Sequence, residues 1–194
     1  MLHINFNPFP VINTERLLLR RVEKSDVNEI FFLRSDKNVL QYLDTIPVAT
    51  IAEAASWIER MNDLGKNNDA VTWAITLKQD NTLAGTICFW NITKEHYRAE
   101  IGYALHPKHQ GKGIMQEAMT AILDYGFTIM KLHSIEANVN PNNSSSIKLL
   151  KRNNFIREGF FKENYFYDGK FFDSAIYSLI SPEKNKVIKI ISGK

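Results

Sequence analysis

Residues His106-Pro107-Lys108-His109-Gln110-Gly111-Lys112-Gly113-Ile114-Met115-Gln116-Glu117-Ala118 set two glycines at the head of an apolar-periodic run. A helix whose first turn is opened by glycine offers backbone N–H groups, at the positive end of its dipole, to any anion that can come close. The chemistry this suggests is phosphate binding. The string is not a Walker A loop, which needs Gly-Lys-Ser/Thr after a four-residue gap. Nor is it a full Rossmann fingerprint, because a third glycine is missing. Both absences argue against a nucleotide triphosphatase, and for the glycines alone a tight-turn role stays open.

Two other polar groups could move protons. Glu100 sits in the otherwise apolar segment Ala99–Leu105, where partial burial would raise its pKa and suit it to accept a proton. The alternative is a solvent-facing carboxylate or a pair with Arg98. Ser146 closes the run Pro141-Asn142-Asn143-Ser144-Ser145-Ser146, where a hydroxyl can donate a proton or only cap a helix. His106 and His109, at i and i+3 with no nearby Cys or Asp, make a poor metal site, and none is expected. Cys88, between Ile87 and Phe89, reads as a small strand residue rather than a nucleophile.

The elements that must hold these groups follow from periodicity. Thr14–Val22 reads as a strand, followed by a helix capped by Ser25 or Asp26. Thr50-Ile51-Ala52-Glu53 is a capping-box pattern that opens a helix to about Gly65. Val71–Leu77, Thr82–Ile92 and Ala99–Leu105 read as three consecutive strands, the first two joined by a polar turn at 79–81, which implies an antiparallel meander. Ile114, Ala118, Ala121, Ile122, Tyr125 and Ile129 recur at helical spacing. Ser134–Val139 is then a strand and Asn143–Asn153 a short helix. Asp168-Gly169 marks a hairpin between Phe155–Tyr167 and Phe171–Ile180. The expected class is α/β with a mixed sheet: an antiparallel front, a βαβ-like centre and a terminal hairpin.

The chain has 194 residues, 44% apolar and 23% charged, which suits one domain over 1–182 followed by a short basic tail, 183–194. That tail carries the net charge of +3, so the body lacks the basic footprint of a nucleic-acid binder. The aromatics Phe160, Phe161, Tyr165, Phe166, Tyr167, Phe171 and Phe172 fit hairpin packing and a pocket wall better than an RNA-stacking sheet. A single cysteine excludes an internal disulfide and fits a reducing compartment. With no leader pattern and no long apolar run, a cytoplasmic protein without membrane attachment is expected. Monomer and homodimer both stay open, since the apolar stretch Val187-Ile188-Lys189-Ile190-Ile191 could add a strand to a partner's sheet.

Several spaced motifs, in order, resemble the GCN5-related N-acetyltransferase (GNAT) superfamily, and within it the RimJ/RimL branch of ribosomal-protein acetyltransferases. Lys108-His109-Gln110-Gly111-Lys112-Gly113 fits that family's Arg/Gln-x-x-Gly-x-Gly/Ala loop, with lysine in the first place. Thr14-Glu15-Arg16-Leu17-Leu18-Leu19-Arg20 is similar to the branch's opening strand, and Ala99-Glu100-Ile101-Gly102-Tyr103 to the strand before the loop. Asn143 to Ser146 resembles its Asn-x-x-Ser segment, and Tyr167-Asp168-Gly169 with Asp173 its closing hairpin.

The resemblance implies a central sheet of about seven strands with about four helices, and acetyl-coenzyme A as co-substrate. It implies that Gly111, Lys112, Gly113, Ile114 and Met115 hold the pyrophosphate through backbone N–H groups, with Lys108 beside them. The pantetheine arm would pair with Ala104, Leu105 and His106, and Asn143 would bond it from the other side. An oxyanion donor near Leu105 requires that strand to splay from its neighbour at a bulge. Glu100 falls where some members hold the general base. The tyrosine that many members use as acid is replaced by Leu150, so Ser146 becomes the candidate donor. The family's Gly-Phe after that helix is Asn154-Phe155 here, and Asn can take the left-handed conformation glycine supplies. The resemblance implies an amine acceptor: a protein N-terminus, such as that of a ribosomal protein, or a polyamine, amino acid or aminoglycoside. A non-catalytic acetyl-coenzyme A sensor is the further alternative. A wide, acidic cleft beside Glu100 would suit a peptide terminus or polyamine, a closed one a small neutral metabolite.

Overall fold

The computed structural model describes residues 2–43, 45–79 and 81–182. The tail 183–194, its apolar stretch included, and Asp80 of the 79–81 turn lie outside them. Eight strands form one sheet: β1 (Ile12–Asn13), β2 (Leu17–Arg21), β3 (Val71–Leu77), β4 (Leu83–Thr93), β5 (Arg98–Leu105), β6 (Ser134–Val139), β7 (Ile156–Tyr167) and β8 (Lys170–Ile180). Five helices accompany it: α1 (Val27–Ser35), α2 (Lys37–Leu40), α3 (Ile51–Lys66), α4 (Ile114–Thr128) and α5 (Ser144–Arg152). The strand and helix beyond the expected numbers are β1 and α2, two and four residues long, too short to show a period.

The order across the sheet is β1-β2-β3-β4-β5-β6-β8-β7. All neighbours are antiparallel except β5 and β6, whose connection runs through α4. The expected meander, βαβ centre and terminal hairpin are therefore present. Asp168 and Gly169 both take positive φ in the hairpin turn, and Asn154 does so after α5.

Each face of the sheet has its own core. Leu17, Leu19, Trp73, Ile75, Ile87 and Phe89 meet Ala118, Met119 and Ile122 of α4 and Leu150 of α5. Complete burial of side chains such as Met119 and Ile122 contributes about 1.5–3 kcal/mol each, which seats α4 firmly on the strands. On the other face, Val22, Ala74 and Leu83 cover Ile30 and Leu33 of α1 and Ala54 and Ile58 of α3. Asp26 is not a simple cap for α1. It closes a short 3-10 turn by accepting from Glu23 N and grips Arg20 through two 2.7 Å bonds. Thr50 does cap α3, but Glu53 reaches back to Ala49 N rather than to Thr50 N.

One local feature opens the sheet. β5 and β6 are paired only from Arg98 to Glu100, after which they diverge. The expected irregularity lies not in β5 but in β4, where register shifts between Trp90 and Thr93 and Asn91 takes φ of 46°.

Candidate active site

A cleft of about 560 Å³ opens where β5 leaves β6, walled by the start of α4, by α5 and by residues 38–43. From the expected set, Ala104, Leu105, Gly111 and Gly113 line it, as do Ile114, Met115, Asn143 and Ser146. Glu100, His106, Lys108 and Lys112 are not among its lining residues.

The cradle is built from backbone. Gly113 is the residue before α4, with φ of 75°, and carries no side chain to cap the helix. The first N–H groups of α4 therefore meet no capping oxygen and suit an anion. Gly111 adds a second left-handed turn at φ of 72°. Positive φ costs any other L-residue about 1–2 kcal/mol, so both glycines are conformational requirements.

The loop is held from the opening strand. Arg16 donates from Nε to Glu117 at 2.6 Å and from Nη1 to the carbonyl of Lys112 at 3.0 Å. Glu117 Oε1 also accepts from Thr14 Oγ1 and Arg16 N. Burial pushes the Glu117 carboxyl up, but these donors outweigh it and hold it below the usual range.

His106 does not offer its backbone to the pantetheine arm as expected. Its N–H donates to Ala84 O at 2.8 Å and its carbonyl accepts from His109 N at 2.9 Å, so its backbone is engaged and cannot extend the strand toward a ligand. Backbone direction alternates along an antiparallel strand, so Leu105 and Tyr103 present theirs to the gap, while Ala104, also expected to pair with the pantetheine arm, turns toward β4 like His106. The His106 ring caps the following turn and stacks on Phe32 at 4.1 Å. Lys108 is exposed, and Gln110 lines the cleft in its place, its Nε2 donating to Leu105 O at 3.4 Å.

Glu100 stands at the point of divergence. Burial raises its carboxyl, opposed by a bond from Asn91 Nδ2 at 3.0 Å, by the Asn138 backbone and by Arg98. Arg98 itself pairs with Glu136, so the alternative reading of Glu100 as its ion-pair partner does not hold. The β4 irregularity is thus what brings Asn91 over Glu100.

Asn143 caps α5, its Oδ1 accepting from Ser146 N at 3.0 Å, and its amide N–H groups stay available to a ligand. Ser146 is therefore not the cap. Its Oγ lies 2.6 Å from the hydroxyl of Tyr103. Cys88 is half-buried, and desolvation by burial pushes its thiol up to about 12, which argues against an activated nucleophile.

Tyr103, Gln110 and Gln116, with Lys148 and Arg152 of α5, are site residues the sequence did not single out. The helical period places Lys148 and Arg152 on one exposed side of α5, four residues apart, which was the available signal. Among the described residues, no group of three or more His, Cys, Asp or Glu could hold a metal ion, and no helix is long and apolar enough to cross a membrane.

Comparison with known proteins agrees with this geometry. The acetyltransferase (GNAT) domain family matches residues 16–156. The uncharacterized N-acetyltransferase p20 of Bacillus licheniformis is 40% identical over 146 residues, 75% of this chain and 82% of that protein. Spermidine N(1)-acetyltransferase of Vibrio cholerae serotype O1 is 28% identical over 144 residues, 74% of this chain and 81% of the relative. The solved structure of RimL, a ribosomal L7/L12 alpha-N-protein acetyltransferase in complex with coenzyme A, superposes with a TM-score of 0.80 at 26% identity, covering 88% of this chain and 98% of that one. An uncapped helix start beside a parted strand pair, matched over that span, makes this chain a member of the GNAT family and an acetyl-coenzyme A-dependent N-acetyltransferase.

Proposed function

We propose that the chain acetylates the N-terminal amine of a protein by direct attack, with Glu100 taking the amine's proton and Ser146 giving one to the departing sulfur. Bound acetyl-coenzyme A supplies the activated acyl group as a thioester. The α4 N–H groups from Ile114 onward would hold its pyrophosphate, with Lys148 and Arg152 as nearby cations. Leu105 N, facing the gap, is the candidate oxyanion donor; such a donor is typically worth about 3–4 kcal/mol. Glu100, raised by burial, can take a proton from the amine directly or through water.

The observation that carries the choice of acceptor is the charge of the cleft. It is wide, as a peptide terminus needs, yet its described lining contains no carboxylate, which departs from the acidic cleft expected for a peptide terminus or a polyamine but weighs more against the polyamine. A polyamine carries two or more ammonium groups, and desolvating them without partner charges is costly. An adjoining hollow of about 200 Å³ holds one acid, Asp168, with Lys170 beside it and Tyr42, Tyr165, Tyr167 and Phe172 around it. That surface suits one amine on a chain with apolar side groups. RimL, by its name, acts on a ribosomal protein, and a ribosomal acceptor would place this enzyme in the cytoplasm.

The test is competition. Purified enzyme and acetyl-coenzyme A are given peptides with free N-terminal alanine or serine, and spermidine, and products are read by mass spectrometry. The expected product is α-amino acetylation of a peptide. A higher kcat/KM for spermidine overturns the choice, and tight coenzyme A binding without product from any amine would favour the sensor.

A further inference from the structure

We infer that Tyr103 is a positioning residue that turns the Ser146 hydroxyl proton into the cleft, and so supplies from β5 the phenol that α5 lacks at Leu150. The inference rests on Ser146 as proton donor to the departing sulfur.

The geometry is a hydrogen-bond count. Leu150 is fully buried in the core one turn after Ser146, so no helix side chain at that position reaches the cleft. Tyr103 enters from the strand instead, and both it and Ser146 line the cleft. Their oxygens are 2.6 Å apart, the short separation of a good O–H···O bond. Each hydroxyl has one proton, so one must donate and the other accept. Ser146 Oγ is the partner of the Tyr103 hydroxyl among the described residues. Were Ser146 the donor, the less acidic aliphatic hydroxyl would give its proton to the poorer acceptor, the phenol oxygen of the half-buried Tyr103.

Tyr103 therefore donates. Burial pushes its hydroxyl up to about 12, the bond with Ser146 opposing, so it keeps its proton across the neutral range. Ser146 Oγ then has its acceptor side filled by Tyr103 and its own proton free to face the cleft. Asn143 fixes the same residue from the backbone side by accepting from its N–H. In turnover the carbon–sulfur bond breaks, the sulfur takes the Ser146 proton, and the serine oxygen, held by Tyr103, regains a proton from water. Glu100 releases the amine's proton to solvent, so protons balance.

Two measurements test this, one of them without cofactor. The Raman difference spectrum of wild type minus Tyr103→Phe, on the free protein, isolates the tyrosine doublet that reports hydrogen-bond direction. A donor pattern is expected, and an acceptor pattern overturns the inference. The second is a kinetic cycle of Tyr103→Phe, Ser146→Ala and the double variant. It follows thiol release from acetyl-coenzyme A with an N-terminal-alanine peptide, and with water as acceptor when the peptide is omitted. Ser146→Ala should lower kcat roughly 10²-fold, the lower end for a lost acid. Tyr103→Phe should lower it about tenfold, as for one hydrogen bond. Acetyl-coenzyme A KM should stay within about twofold in both, and the double variant should be no slower than Ser146→Ala. Wild-type kcat in Tyr103→Phe alone, or multiplying losses in the double variant, overturns the coupling and leaves Ser146 as donor. Wild-type kcat in Ser146→Ala removes the donor role and the inference with it. Thermal melts confirm folding of each variant, and Tyr103→Phe keeps the ring that packs.

Discussion

The two sides of the cleft are made differently. On the cofactor side, the end of β5, the glycine loop and α4 present main-chain groups, and the loop is tied to the opening strand through Arg16, Thr14 and Glu117. On the acceptor side, the segment after α2 and the β7–β8 hairpin present side chains. Phe160, Phe161, Phe166 and Phe171 stay about half exposed or more, and the Tyr167 hydroxyl ties hairpin to segment by donating to Thr45 O at 2.7 Å. A main-chain site needs few residue types and tolerates little change of shape. A side-chain site can vary its chemistry without disturbing the fold.

The largest expected effect falls on the seam between the two sides. Glu100→Gln keeps the shape and removes the base, and kcat should fall roughly 10²-fold or more. Because burial raises this carboxyl, the wild-type rate should climb with pH as Glu100 loses its proton, and the variant should lack that limb. Stability carries the opposite slope. A folded pKa above the unfolded one means the fold holds an extra proton, so stability falls as pH rises through that range, and Glu100→Gln should not show the fall. An unchanged rate and pH profile would remove Glu100 from the mechanism.

Next in size is the cradle itself. Valine at both Gly111 and Gly113 must adopt left-handed φ at two positions, about 3 kcal/mol together, or roughly 10² in coenzyme A affinity. Calorimetry should show that loss together with a lower melting temperature, because left-handed φ strains valine at both positions however open the space around each Cβ. Retained affinity would sink the cradle.

The same contrast explains what could be read from the chain. The glycine loop, the Asp168-Gly169 turn and the helical period from Ile114 announce backbone geometry, and their elements stand close to where the spacing put them. Tyr103 gave no such signal, since a tyrosine at alternate spacing in an apolar strand is equally a core residue. Its role depends on α5 placing Ser146 against it from 43 residues away. The engagement of His106 was equally hidden, because its N–H bond to Ala84 depends on the β4–β5 register, which local sequence does not encode. Glu117 gave no signal of its own, and only the fold shows that its partner is Arg16, 101 residues away.

That partnership offers a graded test of the cofactor side. Arg16→Ala should loosen the loop without touching its glycines and weaken coenzyme A binding by about tenfold, near 1.4 kcal/mol. The bonded Glu117 carboxyl lies below its usual range, so its contribution is present above the ordinary glutamate pKa and is lost as pH falls through the folded value. Melting curves across acidic pH should therefore be steeper for wild type than for Glu117→Gln. Parallel curves would mean the brace adds nothing to stability.

The smallest effect belongs to the acceptor side. Tyr167→Phe deletes the hydroxyl that bonds Thr45 O but keeps the ring that walls the smaller hollow. One part-exposed hydrogen bond is worth about 0.5–1.5 kcal/mol, so the peptide KM should rise about threefold to tenfold while coenzyme A affinity stays at the wild-type value. The asymmetry matters more than the size. If losing one hairpin tether weakened cofactor binding as much as acceptor binding, the two walls would be one mechanical unit, and the division between main-chain and side-chain sites would describe their composition but not their energetics.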